Sequence, residues 1–172
     1  MSEWRTYELS NFLLFSPRTY DRLVESYNAA LWPGQALAVL SGIAIVILTL
    51  RRGKRASFAA AALLALVWLW LAWAFHLQRY APINWAARWF AVAFGIEGMM
   101  ILASEWRKRV PPDRTRRAGR LTGLALATFA ILALPVTERF LGVPWTRVEV
   151  FALFPDATAV ATLGILISRE RL

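Results

Sequence analysis

Residues Ala56 to Phe75 (ASFAAAALLALVWLWLAWAF) run for 20 positions without a charge. A helix rises about 1.5 Å per residue, so about 20 apolar residues cross the ~30 Å hydrocarbon core of a bilayer. Leu31 to Leu50 is a second uncharged run of that length. Ala86 to Ser104 holds Arg88 near its start and Glu97 inside, Leu121 to Val136 is uncharged, and Val148 to Ser168 is apolar apart from Glu149 and Asp156. A soluble bundle would need polar faces at helical spacing. Ala59 to Ala74 offers only tryptophan as a partly polar residue. The expected architecture is an all-α, polytopic transmembrane helix bundle with about five spans.

Composition narrows the class further. Hydrophobic residues make up 58% of the chain, far more than a disordered polymer carries. With no cysteine, a disulfide scaffold and a thiolate zinc or iron–sulfur site are excluded. Only 18% of residues are charged, yet the formal net charge is +9. That excess is localised. Arg51, Arg52, Lys54 and Arg55 lie between the first two segments, and Arg107, Lys108, Arg109, Arg114, Arg116, Arg117 and Arg120 between the third and fourth. Arg169 and Arg171 follow the fifth. These are 13 of the 20 basic residues.

Basic loops stay cytoplasmic during insertion, so the alternation predicts a multi-pass protein of the inner (cytoplasmic) membrane, N-terminus outside and C-terminus cytoplasmic. The same loops are expected to meet anionic lipid headgroups of the bilayer. They flank apolar spans instead of forming a basic surface interleaved with aromatics, so nucleic acid is not an expected partner. Glu3, Arg5 and Glu8 stand within the first eleven residues with no apolar core behind them, and no cleavable signal is expected.

Residues 1–30 read as an N-terminal interfacial segment and 31–172 as a helical membrane domain. Ser16-Pro17 is a helix start, with Ser as N-cap and Pro at the first helical position. Tyr20, Leu23, Val24 and Tyr27 then recur at spacings of three and four. The spacing predicts a short amphipathic helix on the outer membrane surface, turning inward near Trp32-Pro33, with Phe12 to Phe15 dipping into the interface. Trp32, Trp85, Trp89 and Trp145 fall at outer ends of segments and Trp106 at an inner end, as belt residues do. Trp68, Trp70 and Trp73 lie deeper and need another reason. Small residues repeat every four positions as Ala30, Gly34, Ala38 and Gly42, as Ala87, Ala91 and Gly95, and as Gly123 with Ala127. Such stripes let helix backbones approach within the membrane.

Candidate functional residues are few. Glu97 lies about twelve residues into the third segment, roughly 16 Å along its axis, too deep to snorkel. It is either a proton- or cation-handling carboxyl, or an acid bonded to a neighbouring helix or facing a wet crevice. His76 is the only histidine, with Tyr80 one turn on and Trp73 one turn back. Its titration near neutral pH leaves a proton relay open beside a plain hydrogen-bonded role. One His and no Cys supply too few ligands for a metal or a bis-histidine haem, and no cofactor is expected. Asn84 is a natural N-cap for the third segment. Phe154-Pro155-Asp156 interrupts the fifth segment, so the regular helix is expected to start near Pro155 and to be too short to span. Residues 148–154 would then be irregular, tolerated at depth only if covered by protein or facing water. Broken helices of this kind recur at transporter sites, although Asp156 would itself answer the first amides. Thr158 and Thr162 add hydroxyls on one face. No phosphate loop, nucleophile–His–acid set or paired-His motif is present.

Three stretches together resemble a known pattern. They are Tyr27 to Pro33 (YNAALWP) with Gln35; Trp70 to Trp73 running through His76, Tyr80, Pro82-Ile83-Asn84 and Ala86-Ala87 to Phe94 and Glu97; and Pro155 with Thr158 and Ala161 to Leu166. They resemble a bacterial integral-membrane family, domain-of-unknown-function family 6064. The resemblance covers most of the chain after residue 20 and implies a small multi-span membrane protein without supplying a substrate. The family pattern often carries Cys and Pro around the position of Asp156 and a polar amide where Glu97 stands, and this chain departs from it there.

Three functional readings follow. The first is a permease-like protein whose site lies among Glu97, His76, Tyr80, Asn84, Trp73 and the broken fifth helix with Asp156 and Thr158, open to the outside. Five helices are few for alternating access, so transport would call for a homo-oligomer. The second is a non-catalytic subunit or scaffold of a membrane complex. The third is a membrane-embedded enzyme, for which the acid–base inventory is thin.

Overall fold

The structure is a computed structural model and describes residues 16–51, 53–107 and 117–169. Phe12 to Phe15, Arg52, most of the basic run from Lys108 to Arg116, and Arg171 lie outside the described residues, as does the side chain of Trp106. The described residues are helical throughout with connecting turns and no strand.

Helix α1, Pro17–Leu31, follows Ser16, whose extended backbone and Pro17 at the first position set the start. The Ser16 hydroxyl lies 3.0 Å from that of Thr19 and makes no cap bond to the backbone. The chain turns at a cis Trp32-Pro33 bond into α2, Gly34–Leu50, and the two axes meet at 86°. Helix α3, Lys54–Trp70, runs without a break into a π-helical stretch, Leu71–Tyr80. Helix α4 is Ala87–Arg107. Helix α5, Arg117–Thr128, continues through a π-helical turn, Phe129–Ala133, into α6, Leu134–Phe140. Residues 141–154 form a strap without regular structure except a 3-10 turn at Trp145–Arg147. Helix α7 is Pro155–Arg169, starting at the proline that breaks the apolar run.

Three helical stretches are long and apolar enough to cross a membrane: Lys54–Tyr80, Ala87–Glu105 and Ala118–Phe140. Helices α1 and α2 qualify only as one broken unit. Pro33 has no amide to donate, so α2 begins beyond it and keeps 17 residues of the 20-residue apolar run. Helix α7 has 15 residues, about 22 Å, short of a full crossing.

The apolar stripe of the N-terminal helix is covered by the protein itself. Leu23, Val24 and Tyr27, the apolar stripe, are buried together with Asn28 in the same core as the rest of the chain. Tyr27 packs edge-on against Phe75 of the π-helical stretch and Phe154 of the strap, at 5.8 and 5.6 Å. A stripe of that width is satisfied by protein as readily as by lipid headgroups, and here the strap supplies the partner. Val148 and Val150 to Phe154 are likewise buried, so the irregular backbone is covered by protein.

Close backbone approach holds the far side together. A Cβ on Gly164 would lie 2.5 Å from the Ala127 amide nitrogen, and one on Gly123 would lie 2.5 Å from the Gly164 carbonyl. Only glycine admits this contact between α5 and α7. Gly42 similarly leaves room for Ile131 and Phe151. The small-residue stripes are used in part: Ala38, Gly42, Ala87, Ala91, Gly123 and Ala127 are buried, whereas Ala30 is exposed and Gly95 borders open space.

Candidate functional site

The polar side chains gather at the end of the bundle formed by α1, the strap and the start of α7, and most of them hold the strap. Asn28 donates both amide hydrogens, to the Thr146 and Val148 carbonyls at 3.0 Å each. Gln35 steadies it by donating to the Asn28 carbonyl at 2.7 Å. The Thr158 hydroxyl donates to the Phe154 carbonyl (2.8 Å) and accepts from the Ala152 amide (2.9 Å). Ala152 has φ +68°, a left-handed conformation that costs a residue with a Cβ about 1–2 kcal/mol. The Thr162 hydroxyl donates to the Thr158 carbonyl and accepts from the Trp68 indole at 3.0 Å. That bond is the reason for one of the deep tryptophans.

Carboxyls meet beside these bonds. Tyr20 donates its hydroxyl to Glu149 at 3.0 Å, and Glu138 accepts the Glu149 backbone N–H at 2.9 Å. Arg147 leaves this group to pair with Asp21 at 2.7 Å and Glu25 at 3.4 Å on α1.

His76 lies on the other side of Tyr80. It is buried, and neither ring nitrogen has a hydrogen-bond partner among the described residues. Its ring is surrounded by Phe94, Phe75, Phe90 and Tyr80 at centroid distances of 4.4, 5.2, 5.9 and 6.2 Å. Glu97 follows Phe94 by one turn of α4, is half-buried, and has no hydrogen bond or ion pair among the described residues. No three of His, Cys, Asp and Glu stand close enough among the described residues to share a metal ion.

The sequence candidates therefore separate. His76 and Tyr80 come together, and Tyr80 also packs edge-on against Tyr20 at 6.3 Å, joining the two groups. Asn84 accepts the Ala86 amide hydrogen at 3.0 Å as the cap of α4. Thr158 is occupied inside the strap. Asp156 is exposed in the first turn of α7, near enough to Glu149 and Glu138 to act on both. Trp73 is 52% exposed and packs edge-on against Trp70 at 5.5 Å. Sequence reasoning missed Tyr20, Asn28, Glu138 and Glu149 as a working group. Asn28 inside an apolar stripe was the available signal, because a buried amide at such a position must have partners.

At the opposite end, Arg169 pairs with Glu105 at 3.2 Å and donates to the Ser57 carbonyl, while Ser57 donates to Glu105 at 2.7 Å. Arg120 reaches the Leu50 carbonyl at the end of α2. These contacts tie α3, α4 and α7, and α2 to α5.

No curated protein and no solved structure is detectably similar to the chain. The pattern of a family of unknown function, DUF6064, matches residues 18–171, nearly the whole chain and all three of the stretches that resemble it, and the chain belongs to that family.

Proposed function

We propose that the protein sits in the bacterial cytoplasmic membrane with its N-terminus outside, crossing it in three continuous helical stretches and in two broken segments, α1 with α2 and the strap with α7, and acts there as a non-catalytic subunit of a membrane assembly. Glu97 carries this reading. An ionisable side chain within an apolar helix is costly and normally pairs with protein or faces water. Glu97 has no such partner within its own chain among the described residues, and α4 is the least covered long helix, with 22% of its apolar window buried against 56% for Lys54–Tyr80. A helix exposed along most of its length with a carboxyl midway fits lateral pairing with another membrane helix.

The chain has no cysteine, so single cysteines at Ala93 and Met100 report the Glu97 side of α4 without background. Cross-linking in native membranes is expected to yield one discrete product that is lost in Glu97→Leu. A diffuse set of products, or one indifferent to Glu97, overturns the reading.

The permease-like reading is favoured by a different observation, the orphaned nitrogens of His76 beside Tyr80. On that reading a proton passes by His76 and Glu97, and the polar group opens to the outside. Glu97→Gln then abolishes a proton-coupled flux in proteoliposomes while leaving helix content unchanged. Wild-type vesicles with no flux remove its basis.

A further inference from the structure

We infer that the turn between α2 and α3 is a discrete site for an anionic phospholipid, taking the phosphate at its mouth and the start of an acyl chain along its wall. This rests on the membrane reading above and adds a specific ligand to it. The site is a groove of about 580 Å³ lined by Arg51, Lys54, Arg55, Gly53, Leu48, Ala56 and Ala59.

Two features distinguish it from a diffuse basic surface. Arg51, Lys54 and Arg55 are all exposed, and no acid lies among the lining residues or within the first turn of α3. Glu105, which Ser57 of the same helix reaches, is engaged by Ser57 and Arg169. Three cations with no acid partner among the described residues therefore line one groove. Leu48, Ala56 and Ala59 continue the groove toward the apolar middle of α2 and α3, about one helical turn from the charges. A cationic mouth with an apolar wall leading into the bilayer complements an amphiphile with a phosphate head. A free phosphate would use the mouth and leave the wall bare.

The experiment uses the full chain in detergent, delipidated and then offered phosphatidylglycerol, phosphatidylcholine or inorganic phosphate, with bound ligand read by native mass spectrometry. Each Lys or Arg near an anionic headgroup contributes about 1 kcal/mol, roughly fivefold in affinity. Arg51→Gln/Lys54→Gln/Arg55→Gln together are expected to lower phosphatidylglycerol retention about a hundredfold. Arg18→Gln/Arg22→Gln, removing charge from the other end, should leave it unchanged. Ala59→Trp fills the wall and keeps every cation, so it should lower lipid retention without affecting phosphate.

Equal retention of phosphatidylcholine, or undiminished phosphatidylglycerol on the triple variant, overturns the site. Inorganic phosphate binding as tightly as the lipid, with Ala59→Trp silent, overturns the lipid as its ligand. A chain that fails to insert into vesicles of either lipid would instead defeat the membrane reading. Insertion without selective retention defeats only this site.

Discussion

The two ends of the bundle are tied by different chemistry. At the strap end, irregular backbone is sunk among helices, and neutral side chains answer its amides and carbonyls: Asn28 on Thr146 and Val148, Thr158 on Phe154 and Ala152. At the arginine end the tie joins regular helices through a charge pair, Arg169 with Glu105, whose side chains are only 13% and 6% exposed. Buried backbone polar groups must be paired wherever they lie, so an irregular segment recruits polar side chains. Helices satisfy their own backbone and leave side chains free to join one another. The strap end thus consumes polar residues that would otherwise look functional, which is why Thr158 and Asn84 serve structure.

The comparison can be broken most forcefully at the arginine end. Glu105→Ala strands the Arg169 guanidinium in a buried site, and removing one partner of a buried pair costs about 3–5 kcal/mol. The thermal midpoint in mild detergent should fall more for this variant than for any single change at the strap. Asn28→Leu is expected to come next, at about 1–3 kcal/mol, because the buried Val148 carbonyl loses its donor together with the part-buried Thr146 carbonyl. Hydrogen exchange should then rise at residues 148–154 while α5 and α7 keep their protection. Uniform loss of protection would mean that the strap and the helices are one cooperative unit.

The smallest effect is expected from Arg147→Gln. Its pairs with Asp21 and Glu25 are about one-third to one-half exposed, and such pairs contribute about 0.2–1 kcal/mol. Salt should erase that difference and leave the Glu105 effect in place.

The helices were legible because apolar periodicity, proline and caps act over a few residues. The break at Pro155 and the cap at Asn84 are both local. The π-helical stretch Leu71–Tyr80 was not legible, since its wide turns carry no residue signature and fit the packing of Phe75 and His76 against Phe154 and Phe94. The apolar stripe of α1 is legible in the sequence, but the strap that covers it is not. Periodicity says which face is apolar and never what covers it. The carboxyl group was missed because Tyr20 and Glu149 stand 129 positions apart.

Sequence by itself determined an all-helical chain, the runs long enough to cross a bilayer, the interruption before α7 and the clustering of basic residues between alternate apolar runs. These follow from local rise, proline chemistry and charge order, which need no knowledge of neighbours. Tertiary structure alone decided that α1 faces inward, that the strap lies buried, and that Asn28, Thr158 and Trp68 hold it while His76 and Glu97 make no hydrogen bond or ion pair among the described residues. Each of those outcomes depends on which distant backbone group arrives within about 3 Å of a side chain, and only packing of the whole chain brings them together.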